Sequence, residues 1–337
     1  MFNFDIERYL GIQNGAVEAA KKVSAKVHEL VSDGADSLFF MGGGGAGLMM
    51  QPATDLVSRN SSLACYNVIC AEIVLTGHRA LGPKSVVVLP SLSGTTKESI
   101  AALEYAQSKG ATVITLIGHE DTPLAKQADH CFVNFAADDT SCEMFYTQSL
   151  AAALGAMNAV GERDDYDALM AEMDKLPQHF LKAKEAFEPE AKKIAETIKD
   201  ETWHIITAAG ATWTEANYYG MCILEEMQWI RTRPVHASDF FHGTLEVVEK
   251  GVSVIVMKGE DASRPLTDRV VNFARDHTDK LTVIDTKGMG SDDLSPVMRA
   301  LIGPATLSAM LERLSSHLEH LRDHPLSTRR YYRRVAY

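Results

Sequence analysis

The sequence predicts an α/β protein made of two tandem doubly wound parallel-sheet domains. Three observations lead there. Short apolar runs alternate with helical-period stretches, the pattern of a parallel sheet covered by helices. One strand–glycine–helix design recurs weakly in both halves, and 337 residues with 46% hydrophobic content suffice for two buried cores. Residues 1–36 read as a helical entry segment, because Val17, Ala20, Val23, Val27 and Val31 recur near helical spacing. The first domain, 37–160, holds strands expected at 37–41, 63–68, 85–90, 112–117 and 130–135, with helices at 47–58 and 97–108. A charged helical passage, 161–200, is interrupted by Pro177 and Pro189 and separates the halves. The second domain, 201–325, opens with an apolar run at 203–210 that closes on small residues, like the run ending in Gly42 to Gly45. Helices at 214–230 and 264–277 and strands at 252–257 and 281–285 follow, and a tail spans 326–337.

Composition excludes several functions. Thirty-three Lys and Arg against 45 Asp and Glu give a net charge of −12, so nucleic acid or an anionic membrane is repelled overall. An anionic small molecule must instead be held by backbone amides, hydroxyls and helix dipoles. The five cysteines form no CxxC, suit a reducing compartment and read as packing residues. The amino-terminal residues do not form a basic segment followed by an apolar core, and no apolar run approaches a membrane span, so a soluble cytoplasmic protein is expected. The twelve His show no pairing with Asp or Cys at ligand spacing, so neither a metal nor another cofactor is expected.

Two loops have the composition of anion sites. Residues 91–98, Ser-Leu-Ser-Gly-Thr-Thr-Lys-Glu, follow a strand and open a helix, whose unsatisfied N–H groups and positive dipole end favour a phosphate. An ordinary Ser or Thr helix cap is the alternative. The glycine run at 42–47 also satisfies G-x-G-x-x-G, the dinucleotide pattern, but the next strand ends at Asn67 without an acidic residue for a ribose. Gly44 and Gly45 are candidates to contact a sugar, and a tight turn for close helix packing explains the run equally well.

The segment 224–247 concentrates carboxylates, imidazoles and a glycine. Glu225 and Glu226 close an apolar helical run, and about 100° apart on a helix they face different ways. His242 follows Glu226 by sixteen residues and precedes Gly243, while His236 is a second candidate nearer the helix. A carboxylate and an imidazole together can move protons near neutral pH.

The Glu and His-Gly pair, with Ser91-x-Ser93-Gly94-x-Thr96 upstream, resembles the sugar isomerase (SIS) domain family, whose members bind phosphosugars. Within it the chain most resembles the deglycases of 6-phosphorylated Amadori compounds such as fructose-asparagine or fructoselysine adducts. That resemblance covers about 37–337. It implies phosphate contacts from Ser91, Ser93 and Thr96, Glu226 as base, His242 as acid, and a homodimer whose site is shared between subunits; from the residues themselves, Glu225 is the alternative base, and Glu225 and His236 are candidate substrate contacts. It implies hydrolysis to glucose 6-phosphate and free amino acid. An aldose–ketose or glucosamine-phosphate isomerase and a non-catalytic phosphosugar sensor are the rival readings. Three positions depart from the family pattern: Ala46 replaces a Ser in the first loop, Ile223 replaces the isomerases' Lys, and Thr244 replaces a Pro after His-Gly. The deglycases related to this chain also lack that Lys. In such enzymes the tail folds over the active site, so Arg333 or Arg334 is expected to meet a substrate carboxylate. Pairing of Arg329 and Arg330 with surface acids is the competing expectation for the tail.

Overall fold

Among the residues that the computed structural model describes, 1–136, 142–332 and 334–335, the strands form two sheets, both wholly parallel. The first has the order β2-β1-β3-β4-β5, from β1 (Ser37–Gly42), β2 (Ala64–Ile69), β3 (Ser85–Ser91), β4 (Thr112–Ile117) and β5 (His130–Val133). The second has the order β7-β6-β8-β9, from β6 (Trp203–Ala208), β7 (Arg231–His236), β8 (Ser253–Lys258) and β9 (Lys280–Asp285). The chain divides into two compact units, Ile6–Pro177 and Gln178–Tyr337, with Met1–Asp5 joining the second. The helical passage 161–200 is thereby divided between them.

In the first unit the central strands are buried along their whole length, Val86, Val87, Val88 and Leu89 being almost inaccessible. Each such side chain contributes about 1.5–3 kcal/mol when fully buried. Helix Ile6–Ser32 presents all five of its periodic Val and Ala residues to the interior. It packs closely on helix Glu143–Ala159, where a Cβ on Gly155 would stand 2.3 Å from the Ser24 carbonyl oxygen. The expected helix at 47–58 is broken into Gly44–Leu48 and Gln51–Asn60, with Pro52 starting the second piece, a position that needs no N–H. Strand β5 ends at Val133, two residues before Phe135.

The second unit corrects the expected helix at 214–230. An α-helix, Thr212–Tyr218, loosens into a π-helical segment, Tyr219–Glu225, and Trp229 at φ +58 ends it, with the Ile230 N–H on the Leu224 carbonyl at 2.8 Å. Strand β7 follows at once. Its Arg-Thr-Arg-Pro-Val-His composition does not read as a strand, yet an edge position tolerates Pro234, and β7 lies at the edge beside β6. Gly220 lets the π segment approach this strand, since a Cβ there would meet Thr232 Oγ1 at 2.9 Å. Tyr219 is buried, which pushes its phenol up by desolvation, and its oxygen accepts from the Ser315 hydroxyl at 3.2 Å.

Two helices, Leu176–Ile198 and Pro296–Leu321, frame a charged cluster that ties the amino terminus to this unit. The buried Arg313 donates Nε to Glu188 at 2.6 Å and also bonds the Phe2 carbonyl, while the Phe2 N–H donates to Glu188 at 2.8 Å. Cysteines match their expected packing role: all five are free, and burial pushes the thiols of Cys65 and Cys70 up to about 12 and about 11. Among the described residues no helix is long and apolar enough to cross a membrane.

Desolvation alone would raise Glu188, but bonds from Arg313 and the Phe2 N–H, with the Arg313 charge, hold it down to about 2 from 4.5. A carboxylate depressed in the folded state stabilises above its ordinary pKa and loses that contribution as pH falls through the folded value. The wild-type melting temperature should therefore decline from about pH 4.5 to about 2, and Glu188→Gln should flatten that part of the curve. Parallel curves for the two proteins would remove Glu188 from this role.

Candidate functional site

Strand order reverses between β1 and β3, so the loops leaving their carboxyl ends diverge around a crevice, the usual ligand position in a doubly wound sheet. Those loops are the glycine run and the Ser/Thr loop. Ser91, the last residue of β3, is buried, and its Oγ accepts the Gly94 N–H at 3.1 Å. Ser93 Oγ accepts the Thr95 N–H at 3.4 Å. Accepting leaves each hydroxyl proton available to an anion. Thr96 stands at the cap of the twelve-residue helix Lys97–Ser108 with φ −64 and ψ 122, but its side chain makes no capping bond. The helix-cap alternative for this loop thus lacks its characteristic bond, and the first-turn N–H groups keep their capacity for an external acceptor.

Gly94 has a role other than admitting a ligand. At φ +63 its Cβ direction is filled by Thr122, whose Oγ1 would lie 2.2 Å away, so the residue is needed to seat the loop on the segment after β4. The Leu124 N–H bonds the Gly94 carbonyl at 3.2 Å and holds that seat. In the first loop a Cβ on Gly42 would stand 2.2 Å from Gly47 Cα, so these two glycines serve the turn's packing on itself. Gly44, at φ +55, has open space where a Cβ would stand, and Gly45 lies beside it in the five-residue helix Gly44–Leu48.

The corresponding place in the second sheet, between β6 and β8, is filled from within. Asp261 accepts the Ala211 N–H at 3.0 Å and the Ser263 N–H at 2.8 Å, and also the Ser263 hydroxyl. Gly210, at φ +58, faces these atoms. A second anion would meet a carboxylate here, which leaves the seat at β1 and β3 as the one suited to phosphate.

Glu225 and Glu226 sit where the π segment ends, and the Glu226 N–H reaches back to the Met221 carbonyl at 3.1 Å. π-Helical turns are frequent at functional sites. Glu225 is exposed and committed to β7, accepting from the Thr232 N–H at 3.0 Å and its hydroxyl at 2.8 Å. Glu226 faces elsewhere and accepts Arg329 Nε at 2.9 Å.

His242 ends a 3-10 turn, Asp239–His242. It is exposed, whereas Phe240 beside it is buried against Phe241 and Phe273, with ring centroids 5.2 and 5.8 Å away. Those aromatics anchor the loop and leave the imidazole facing out, so His242 is not a packed core histidine. It lines an open pocket of about 590 Å³ together with Trp213, Arg233, His236, Asp239 and Thr244. His236 engages Ser238 Oγ through Nδ1 at 2.7 Å and meets Trp213 edge-on at 5.7 Å. Trp213, Arg233 and Asp239 carried no motif that would single them out in the sequence.

Glu226 does not line that pocket. It precedes the amino end of β7, where Glu225 is tied to Thr232, and His242 lies beyond the carboxyl end. Six residues of strand separate those ends by about 17 Å. Within one chain the two residues therefore belong to opposite ends of β7. Arg334 is exposed in a turn closed by its N–H on the Tyr331 carbonyl at 2.8 Å, and Arg333 lies outside the described residues. Among the described residues no group of three or more His, Cys, Asp or Glu is arranged to hold a metal ion.

Residues 34–158 match the SIS domain family. The match covers all five strands of the first sheet. It is 29% identical over 319 residues to a fructosamine deglycase of Bacillus subtilis, covering 94% of this chain and 97% of that protein. It is 26% identical over 310 residues to the fructoselysine 6-phosphate deglycase of Escherichia coli (strain K12), covering 92% and 89%. A solved Bacillus subtilis structure, provisionally described as a phosphosugar isomerase, superposes with a TM-score of 0.87 at 28% identity, covering 94% of this chain and 99% of that one. The C-terminal domain of glucosamine-fructose-6-phosphate aminotransferase from Francisella tularensis shares the fold at a TM-score of 0.80 and 16% identity, covering 96% and 97%. Both span the two sheets, so the tandem architecture is common to them and to this chain.

Ser93→Ala removes one hydroxyl from the SIS-domain loop and should weaken binding of glucose 6-phosphate roughly 3- to 10-fold in calorimetry, the scale of one hydrogen bond. Unchanged affinity would assign the loop to helix capping alone.

Proposed function

We propose that this protein is an Amadori-phosphate deglycase, hydrolysing a fructosamine 6-phosphate to glucose 6-phosphate and a free amine. The likeness to two deglycases along more than nine-tenths of the chain carries this reading. The Ser/Thr loop at the β1/β3 crevice supports it by offering hydroxyls and helix N–H groups to the phosphate of a substrate that an acidic protein would otherwise repel.

The chemistry needs proton transfers at two adjacent carbons. In the open-chain ketose the C1 proton leaves to Glu226 and returns at C2, which converts the amine-bearing carbon into an imine. Water adds to that imine, the C1–N bond breaks, and the nitrogen leaves as the amine, protonated by an acid, the role assigned to His242 in this reading. Ring opening before these steps uses the same imidazole at the ring oxygen. No cofactor enters the balance. An isomerase would leave the nitrogen in place, and the position three residues before Glu226 holds the buried Ile223 instead of the isomerases' Lys.

Since β7 separates Glu226 from His242 in one chain, the working site is taken to combine Glu226 of one subunit with the His242 loop of a second in a homodimer. Glu226→Gln and His242→Ala should each lower amine release about 100-fold or more with the fold intact. Unfolded and refolded together, the two inactive variants should recover roughly a quarter of the wild-type rate, because half of randomly paired dimers are hybrids with one intact site. Two near-wild-type variants would remove both residues from the chemistry, and a mixture as inactive as its components would place the pair within one subunit.

A further inference from the structure

We propose that Arg329 is the positioning residue for Glu226: the C-terminal segment delivers a guanidinium that aims this carboxylate. The inference rests on the reading of Glu226 as the catalytic base. Arg329 Nε stands 2.9 Å from Glu226 Oε1, and the two side chains are 15% and 28% exposed, so water screens the pair only partly. Its Nη1 donates to the carbonyls of Leu326 at 2.6 Å and Thr328 at 3.0 Å, which locks the guanidinium plane to its own turn. Only the Nε edge is then presented to the carboxylate.

That turn is held in place independently of the ion pair. The Leu326 N–H donates to Glu319 at 2.8 Å, and Gln228 Nε2 donates to the His324 carbonyl at 2.8 Å. His324 meets the Trp229 ring edge-on at 4.6 Å, and the Arg330 guanidinium lies over the same ring at 4.1 Å. Arg322 reaches the Gln228 carbonyl at 3.3 Å. Every one of these contacts except Glu319 falls on 228–229, two and three residues after Glu226. Trp229 is in the left-handed region at φ +58, an unfavourable state for a bulky residue, and the tail's grip on its ring is what the structure supplies to offset it. Among the described residues, the charged groups near this turn include Arg329 on the ion pair, Arg330 and His324 at Trp229, Arg322 on a backbone carbonyl, and Glu225, which faces β7.

A guanidinium fixed in this way sets the direction of the carboxylate that is to take the proton, and its charge favours the ionised over the protonated form. Three full-length variants test this: Arg329→Met, Arg329→Lys and Arg330→Ala. Two readouts apply, the Glu226 titration midpoint from carboxyl-carbon NMR, assigned with Glu226→Gln, and the acid limb of kcat/KM for amine release. Arg329→Met should move both upward by about 1 pH unit and lower kcat about 10-fold or more, with KM changed little. Arg329→Lys should keep the midpoint near wild type and restore much of kcat. Arg330→Ala loosens the grip on Trp229 without removing the ion pair, and should leave the midpoint in place.

A Glu226 midpoint unchanged by Arg329→Met overturns the inference. A midpoint that moves while the acid limb stays overturns the positioning role and Glu226 as base together. A wild-type protein that releases no amine sinks the deglycase reading alone, and the titration then still decides the ion pair.

Discussion

Parallel pairing of the strands is the constraint on which everything else in this protein depends. A parallel neighbour is reached only through a crossover, so every strand of a sheet ends on the same edge and every connecting helix covers a face. With β1, β3 and β4 buried along nearly their whole length, polar chemistry has no place inside the sheet and collects where the strands stop. The order reversal between β1 and β3 then opens a gap that two loops share. The groups proposed to hold an anion there in this acidic chain are the hydroxyls of Ser91 and Ser93 and the N–H groups of the helix start.

The two units apply one plan to different ends. In the first, the gap between β1 and β3 is bordered by Ser91, Ser93 and Thr96, and its helix begins without a side-chain cap. In the second, the equivalent gap is closed by Asp261 on Ala211 and Ser263. What distinguishes the second unit lies at its edge, where a π-helical segment replaces ordinary helix and turns directly into β7. The wider turn and the left-handed Trp229 point Glu225 and Glu226 in different directions, one into the strand and one towards the tail. Local strain of this kind persists only where the surroundings over-determine it, and here the tail and the strand both press on the same few residues.

Much of this was legible in the sequence, and the failures have physical reasons. The strands of the first sheet were readable because buried parallel strands are continuous apolar runs bounded by turns. The loop 91–98 was readable because hydroxyls and glycine between a strand and a helix have few other uses. Strand β7 was not, because its Arg, Thr and Pro satisfy an edge position through backbone pairing on one side only. The π segment was invisible because its apolar residues fit an α-helical period about as well. Gly94 and the pair Gly42 and Gly47 were recognised as special, but the contacts that require them, Thr122 in one case and each other in the second, are set by packing. For Arg329 the sequence suggested an acidic partner but not which one, since it is one of several arginines in a basic tail and Glu226 lies about a hundred residues earlier.

The sequence by itself determined the α/β class and the weak duplication, and it singled out the residue types proposed to bind phosphate and move protons, because these follow from period, composition and local turn chemistry. Only the tertiary structure decided which glycines serve packing, that Asp261 closes the second gap, that β7 stands between Glu226 and His242, and that the tail reaches Glu226. Each of those depends on contacts between residues far apart along the chain, and no local pattern of side chains encodes where a distant segment will come to rest.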